Sequence, residues 1–91
     1  MIQFVMELEN KRVVAYDHQK VIGEVTFSPS PTLWIADHTE VDPSYKGQRI
    51  GNQMVQKLVE EARKEGVKIL PLCPFAAAEF KKNPSYGDVL K

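Results

Sequence analysis

The apolar and polar positions of this 91-residue chain predict four strands, a helix, a fifth strand and a second helix. Residues 2–8 alternate loosely between apolar and polar side chains, which is the two-residue period of a strand. Residues 12–17, 21–27 and 33–41 are rich in β-branched and aromatic side chains and also predict strands. Because the first three strands are joined by short links, they are expected to form an antiparallel meander.

The clearest helical pattern begins at Ile50 and ends at Glu65. The apolar positions after Ile50, which recur at helical spacing, are Met54, Val55, Leu58, Val59 and Ala62. Polar and charged side chains occupy the opposite face. Gly66 follows directly and is a suitable C-cap, because glycine readily adopts the left-handed conformation that ends a helix.

The segment after this helix is short and largely apolar over residues 67–72, which predicts a buried fifth strand. Pro71 cannot donate a hydrogen bond to a neighbouring strand, so pairing is expected to fail there and to leave a gap. Pro74 is well placed as the first residue of a second helix that ends near Lys82. This order predicts an α+β fold with a mixed, mostly antiparallel sheet of about five strands and two main helices, in one domain over residues 1–91.

The start of the long helix has an unusual composition. Gly47, Gln48 and Arg49 offer none of the side-chain acceptors that usually cap a helix, and Lys46 and Arg49 add positive charge to its positive end. A phosphate or pyrophosphate would satisfy the free N–H groups and both cations, and Gly47 and Gly51 would let the backbone approach it closely. A solvated turn, in which the glycines only serve the bend, explains the same spacing, so both interpretations remain open.

Composition narrows the class of partner. Twelve basic and twelve acidic residues leave no net charge, which argues against a general nucleic-acid or membrane-surface protein. No apolar run approaches the ~20 residues of a membrane span, and the first residues do not resemble a signal peptide. The single cysteine, Cys73, cannot form an internal disulfide. We therefore expect a cytoplasmic protein that is a monomer or weak dimer.

Residues 41–51, a strand end followed by a glycine-containing turn at a helix start, resemble the acetyl-coenzyme A motif of the GNAT superfamily of N-acetyltransferases. That motif reads Gln/Arg-x-x-Gly-x-Gly/Ala, and the matching segment here is Lys46-Gly47-Gln48-Arg49-Ile50-Gly51. Residues 37–41, 70–75 and 83–86 are similar to the very small members of the superfamily, which have about this length. The chain departs from the motif at the middle glycine, where it has Arg49, and at the first position, where Lys46 keeps the charge but lacks the planar fork of arginine.

This resemblance implies a minimal GNAT-like fold with acetyl-coenzyme A as cosubstrate. The pantetheine arm would lie along the fourth strand where that strand separates from the fifth, and Pro71 fits such a separation. The residues that the resemblance assigns to coenzyme binding are Val41, Lys46, Gly47, Gln48, Arg49, Ile50, Gly51, Asn52 and Phe75.

The candidate catalytic residues are Cys73, His38 and Glu40. Cys73 is expected at a helix start, where the dipole favours thiolate, and could be an acetylated nucleophile, a proton donor to the leaving sulfur or a buried structural cysteine. His38 could act as a general base or only order its strand, and Glu40 shares its face if the strand is regular. His18, His38 and Cys73 lack the paired spacing of a zinc site, so no metal is predicted.

The leading hypothesis is an acetyl-coenzyme A-dependent N-acetyltransferase that modifies a protein amino group or a polyamine. Its cleft would be open, because only residues 9–11 separate the first two strands, where larger members of the superfamily carry helices that shape the acceptor pocket. The alternative is a coenzyme A or nucleotide-binding module without catalysis. A structural domain with a coincidental turn ranks last.

Overall fold

The computed structural model describes residues 1–91 and contains one five-stranded sheet and two α-helices. The strands are β1 (Ile2–Glu7), β2 (Arg12–Asp17), β3 (Lys20–Pro29), β4 (Leu33–Val41) and β5 (Lys68–Pro71). The helices are α1 (Ile50–Glu65) and α2 (Pro74–Lys82), and three short 3-10 segments span Leu8–Asn10, Pro43–Tyr45 and Pro84–Val89. Neither α-helix combines the length and apolar character that crossing a membrane requires.

The strands lie in the sheet in the order of the sequence. The β1–β2, β2–β3 and β3–β4 pairs are antiparallel, whereas β4 and β5 are parallel because α1 carries the chain back between them. The predicted α+β class with a mixed, mostly antiparallel sheet is therefore confirmed. The C-terminus covers the outer edge of β5, where the N–H of Lys91 donates to the carbonyl of Ile69 at 2.9 Å.

The core lies between α1 and one face of the sheet. The buried residues of α1 are Ile50, Gly51, Met54, Val55, Leu58, Val59 and Ala62. All of these except Gly51 join a cluster of 19 buried residues that includes Val25, Trp34 and Ile69 of the strands and Phe80 of α2. Within it Phe27 stacks on Trp34 with 4.7 Å between ring centroids. The assignment of residues 1–91 to one domain stays a prediction.

A bulge in β4 decides which of its side chains face the helices. The register shifts so that Asp37 is an extra residue with no partner on β3. Beyond the bulge, Thr39 pairs with Val25, a core residue that α1 covers, so Thr39 lies on the helix face of the sheet. His38 and Glu40, which alternate with Thr39, lie on the opposite face.

Candidate functional site

β4 and β5 separate after the pair of Ala36 and Pro71. Pro71 has no N–H, and the next two N–H groups, of Leu72 and Cys73, both donate to the carbonyl of Ala36 at 3.1 and 3.0 Å. β4 continues to Val41 without a β5 residue opposite it. The predicted failure of pairing at Pro71 is therefore confirmed.

The backbone of the unpaired part of β4 offers free hydrogen-bonding groups to this gap. The N–H of Asp42 donates to the carbonyl of Ile22 on β3 at 2.8 Å. Backbone groups of alternate residues point to opposite sides of a strand, so those of Thr39 and Val41 point away from β3 and into the gap. An extended molecule that carries amides could pair with them as an added strand would.

A cleft of about 330 Å³ extends from the gap to the start of α1. Its lining residues are Thr39, Val41, Tyr45, Lys46, Gly47, Arg49, Ile50, Gly51, Asn52 and Phe75. Every residue predicted to bind coenzyme is among them except Gln48. Their role in binding stays a prediction, but the fold brings them together around one cavity.

The end of the cleft at α1 is suited to an anion. Arg49 is the N-cap residue of α1, its side chain makes no capping hydrogen bond, and the first turn contains no acidic residue. The first N–H groups of the helix therefore lack side-chain acceptors, and the helix dipole makes this end positive. Arg49 has a left-handed backbone with φ of 58°, and Gly47 has φ of 87°. The positive φ angles of Gly47 and Arg49 turn the backbone twice, so residues 46–49 fold around the cleft.

Phe75 forms the wall of the cleft that faces the first turn of α1. A Cβ atom placed on Gly51 would lie 2.8 Å from Cζ of Phe75, which is too close for any side chain to fit without a shift. A side chain at position 51 would therefore displace the aromatic ring. Phe75 remains 37% exposed, so its ring is available to a molecule in the cleft.

Cys73 lies directly behind the cleft and is only 6% exposed. Its Sγ is 3.2 Å from Oγ1 of Thr39, which itself lines the cleft. Burial raises the pKa of the Cys73 thiol, but the hydrogen bond with the Thr39 hydroxyl and the neighbouring backbone N–H groups of Ala76, Phe75 and Thr39 lower it, and the net pKa is below the ordinary value. Neutral donors therefore make the Cys73 thiol a stronger acid than an ordinary cysteine.

His38 and Glu40 are not brought to Cys73. They pair with each other on the opposite face of the sheet, with 3.5 Å between Nε2 and Oε1, and their side chains are 60% and 72% exposed. A groove of about 490 Å³ on this side of β4 is lined by Glu40 together with Glu24 and Asp42. A catalytic role for His38 and Glu40 stays a prediction, and it requires a substrate that spans the gap from one face to the other.

Two residues of the cleft were not predicted from the sequence. Thr39 lies between two residues that were predicted, but its orientation depends on the bulge at Asp37. Tyr45 lies in a short 3-10 turn, and its hydroxyl donates to Oδ2 of Asp17 at 2.5 Å, which ties the turn to β2.

No three His, Cys, Asp or Glu side chains are close enough together to hold a metal ion. The expectation that no metal is bound stays a prediction.

Comparison with known proteins gives a consistent result. A sequence model of the family described as GCN5-related N-acetyl-transferase matches residues 6–89. No curated protein matches the chain. The solution structure of a GCN5-like protein from Staphylococcus aureus is similar with a TM-score of 0.75 and 26% identity, covering 98% of this chain and 87% of that one.

Two longer enzymes share the fold at lower identity. A ribosomal-protein-alanine N-acetyltransferase from Brucella melitensis has a TM-score of 0.62 at 20% identity, covering 88% of this chain and 60% of its own. An aminoglycoside 6'-N-acetyltransferase, whose structure contains coenzyme A, has a TM-score of 0.59 at 23% identity, covering 70% of this chain and 38% of its own. This chain thus spans less than two thirds of either enzyme.

Proposed function

The chain belongs to the GCN5-related N-acetyl-transferase family, a class of acetyl-coenzyme A-dependent acetyltransferases, and on that premise we propose that it transfers acetyl to an amine presented from outside an open cleft. The observation that carries this proposal is a continuous cavity. It joins the unpaired backbone of β4 to the uncapped start of α1. A thioester on a pantetheine arm that ends in a pyrophosphate needs both features in one place.

The pyrophosphate end is supported by the charge around the start of α1. Lys46 and Arg49 both line the cleft, and neither takes part in any of the ion pairs of the protein. Their charges are therefore free to compensate a ligand, together with the N–H groups of the first turn. Gly47 carries no side chain to obstruct the approach, and a Cβ there would contact nothing within 4 Å.

The pantetheine arm is supported by the gap beside β4. The backbone groups of Val41 and the carbonyl of Thr39 can pair with its amides, and the ring of Phe75 offers an apolar surface on the other side. Acetyl-coenzyme A would supply the activated acyl group as a thioester. The task of the protein residues is to hold it, to remove a proton from the amine and to give a proton to the departing sulfur.

Cys73 is the proposed source of the proton for the departing sulfur. Its thiol is adjacent to the cleft through Thr39, and its thiolate is stabilised by neutral donors, so releasing a proton is favourable for it. Acetylation of the sulfur itself would require access that a 6% exposed residue behind Thr39 does not have in this conformation. We therefore favour direct transfer over a covalent intermediate.

The acceptor proposal rests on the opposite face of β4. Glu40 lines the groove there without a lysine or arginine partner, whereas Glu24 pairs with Arg12 and Asp42 with Lys20, and a free carboxylate attracts a protonated amine. His38 beside Glu40 could accept the proton that the amine must lose before it attacks. These features support a polyamine or a protein amino group as acceptor. A cytoplasmic location and a monomeric or weakly dimeric state complete the proposal.

The test is an acetyl-transfer screen over polyamines and peptides, with release of the free coenzyme thiol as the readout. Binding is followed separately through amide shifts of residues 46–52 on addition of acetyl-coenzyme A. Amine-dependent thiol release together with these shifts supports the proposal. Shifts without release by any amine would favour the alternative, a coenzyme A-binding module without catalysis. If neither is observed, both functions are wrong.

A further inference from the structure

We propose that Thr39 is a positioning residue that fixes the thiol of Cys73 and connects its proton to the cleft. The inference concerns the cleft to which we assign acetyl transfer, and its role in turnover rests on that proposed function. The contact itself does not, because it is formed between two side chains of the protein.

The argument begins with access. Cys73 is almost fully buried and is absent from the wall of the cleft, whereas Thr39 lines the cleft and lies within hydrogen-bond distance of the sulfur. The oxygen of Thr39 is therefore the nearest polar atom through which a proton can pass between Cys73 and the cleft. The antiparallel pairing of Thr39 with Val25 fixes the position of its backbone.

The second step concerns the other donors to the sulfur. Cys73 is the N-cap residue of α2, and Pro74 follows it without an N–H, so the first free N–H groups of the helix are those of Phe75 and Ala76. Both of these act on the thiol, as does the N–H of Thr39. They are backbone groups, and the hydroxyl of Thr39 is the one side chain among the leading donors. It is therefore the part of the arrangement that a mutation can remove.

Charged groups on the neighbouring elements are directed elsewhere. On α2, Glu79 accepts a hydrogen bond from Nδ2 of Asn52 on α1 at 2.7 Å and lies 3.8 Å from Nζ of Lys82. On β4, His38 and Glu40 pair with each other on the opposite face of the sheet. Protonation of Cys73 is thus controlled by neutral hydrogen bonds instead of an ion pair.

A threonine hydroxyl suits this role because it can act in both directions. When the sulfur carries its proton, S–H donates to Oγ1 of Thr39. When the sulfur is a thiolate, the hydroxyl of Thr39 donates to it instead. Valine has the same shape and can do neither, whereas serine keeps the hydroxyl. The three side chains therefore separate hydrogen bonding from packing.

The test is a pH titration of Cys73 in the absence of acetyl-coenzyme A. Because the chain has a single cysteine, the ultraviolet absorbance of thiolate and the Cβ chemical shift of Cys73, neither of which requires access to the sulfur, both report on this residue. Wild type, Thr39→Val and Thr39→Ser are compared, with Cys73→Ala as the blank. We expect Thr39→Val to raise the midpoint and to lower the thiolate fraction near neutral pH by about 2- to 10-fold, and Thr39→Ser to keep the wild-type midpoint.

Thr26→Val is a matched control, since Thr26 pairs with His38 on the face away from Cys73. It should leave the midpoint unchanged. An unchanged midpoint in folded Thr39→Val, or an equal shift in Thr39→Ser, would overturn the proposal. If Thr39→Val does not fold, Thr39→Ala against Thr39→Ser gives the same comparison. A failure of acetyl transfer would not alter this titration, so the two proposals fail separately.

Discussion

The ring of Phe75 packs against Gly51 so closely that a Cβ atom on Gly51 would lie 2.8 Å from Cζ of the ring. This contact joins the start of α2 to the first turn of α1, and both residues line the cleft. Gly51, the last position of the motif, thus packs against Phe75, which lies much later in the chain. Their dependence on each other can be tested.

Gly51→Ala should lower the free energy of unfolding by about 1–3 kcal/mol, because the new methyl group overpacks against the ring. In a Phe75→Ala background the same change should be neutral or stabilising by up to about 1 kcal/mol, since alanine is a better helix residue than glycine. Denaturant unfolding of the two single variants and the double variant measures this coupling. Additive effects would contradict the contact.

Arg49→Gly should raise stability and weaken binding of coenzyme A. The left-handed backbone of Arg49 costs about 1 kcal/mol that glycine does not incur, and removing the guanidinium takes away one charge at the proposed pyrophosphate site. Thermal unfolding and calorimetric titration with coenzyme A measure the two effects.

Arg49→Lys is the matched control for this prediction. It keeps the charge and the strained backbone, so stability should stay near that of the wild type and binding should fall less than in Arg49→Gly. Equal binding by all three proteins would show that Arg49 does not contact the ligand. In that case the phosphate would depend on Lys46 and the backbone alone.

Glu7 should make folding stability depend on pH in acid. Hydrogen bonds from Tyr16, Asn10 and Arg12 lower the pKa of Glu7 to about 2. Because this value lies below the ordinary pKa of about 4.3, the contribution to stability is complete above about pH 4.3 and is lost as pH falls through about 2.

Tyr16→Phe removes the largest cause of this shift. The stability difference between wild type and Tyr16→Phe should be greatest at neutral pH and should shrink between about pH 4 and 2. Urea unfolding across that range provides the measurement. As a control, Tyr16→Phe is compared with its parent in a Glu7→Gln background, where the stability difference should not depend on pH. A difference that stays constant with pH would mean that Tyr16 stabilises the fold by packing only.

Cys73→Ala should slow acetyl transfer by about 10²–10⁴-fold while leaving coenzyme binding near wild type, if the thiol supplies the proton to the leaving sulfur. His38→Ala should slow transfer with a changed pH profile, if His38 accepts a proton from the amine. Steady-state rates over pH, with binding measured separately, test both. Unchanged turnover in both variants would remove these residues from the mechanism.

Much of the fold could be predicted from periodicity and proline placement. The helical spacing of apolar residues from Ile50 to Ala62 predicts α1 and its bounds. Pro71 predicts where β4 and β5 separate, because proline lacks the backbone N–H that pairing would need at that position. The residues at the helix start could also be grouped, because residues that are close along the chain there are close in space as well.

The orientation of β4 could not be predicted in this way. A strand is expected to alternate, and the bulge at Asp37 adds one residue and exchanges the faces beyond it. For that reason regular alternation groups His38 and Glu40 with Cys73, whereas Thr39 is the residue that touches it. Long-range pairs such as Tyr45 with Asp17 were equally out of reach, since they depend on the packing of distant segments.

The free backbone of β4 has a consequence for the behaviour of the protein in solution. Unpaired N–H and C=O groups on a strand are a template for another extended chain as well as for a ligand. Ligand binding and self-association therefore compete for the same few hydrogen bonds at this part of β4. A ligand in the cleft should therefore also suppress association of the protein through this strand.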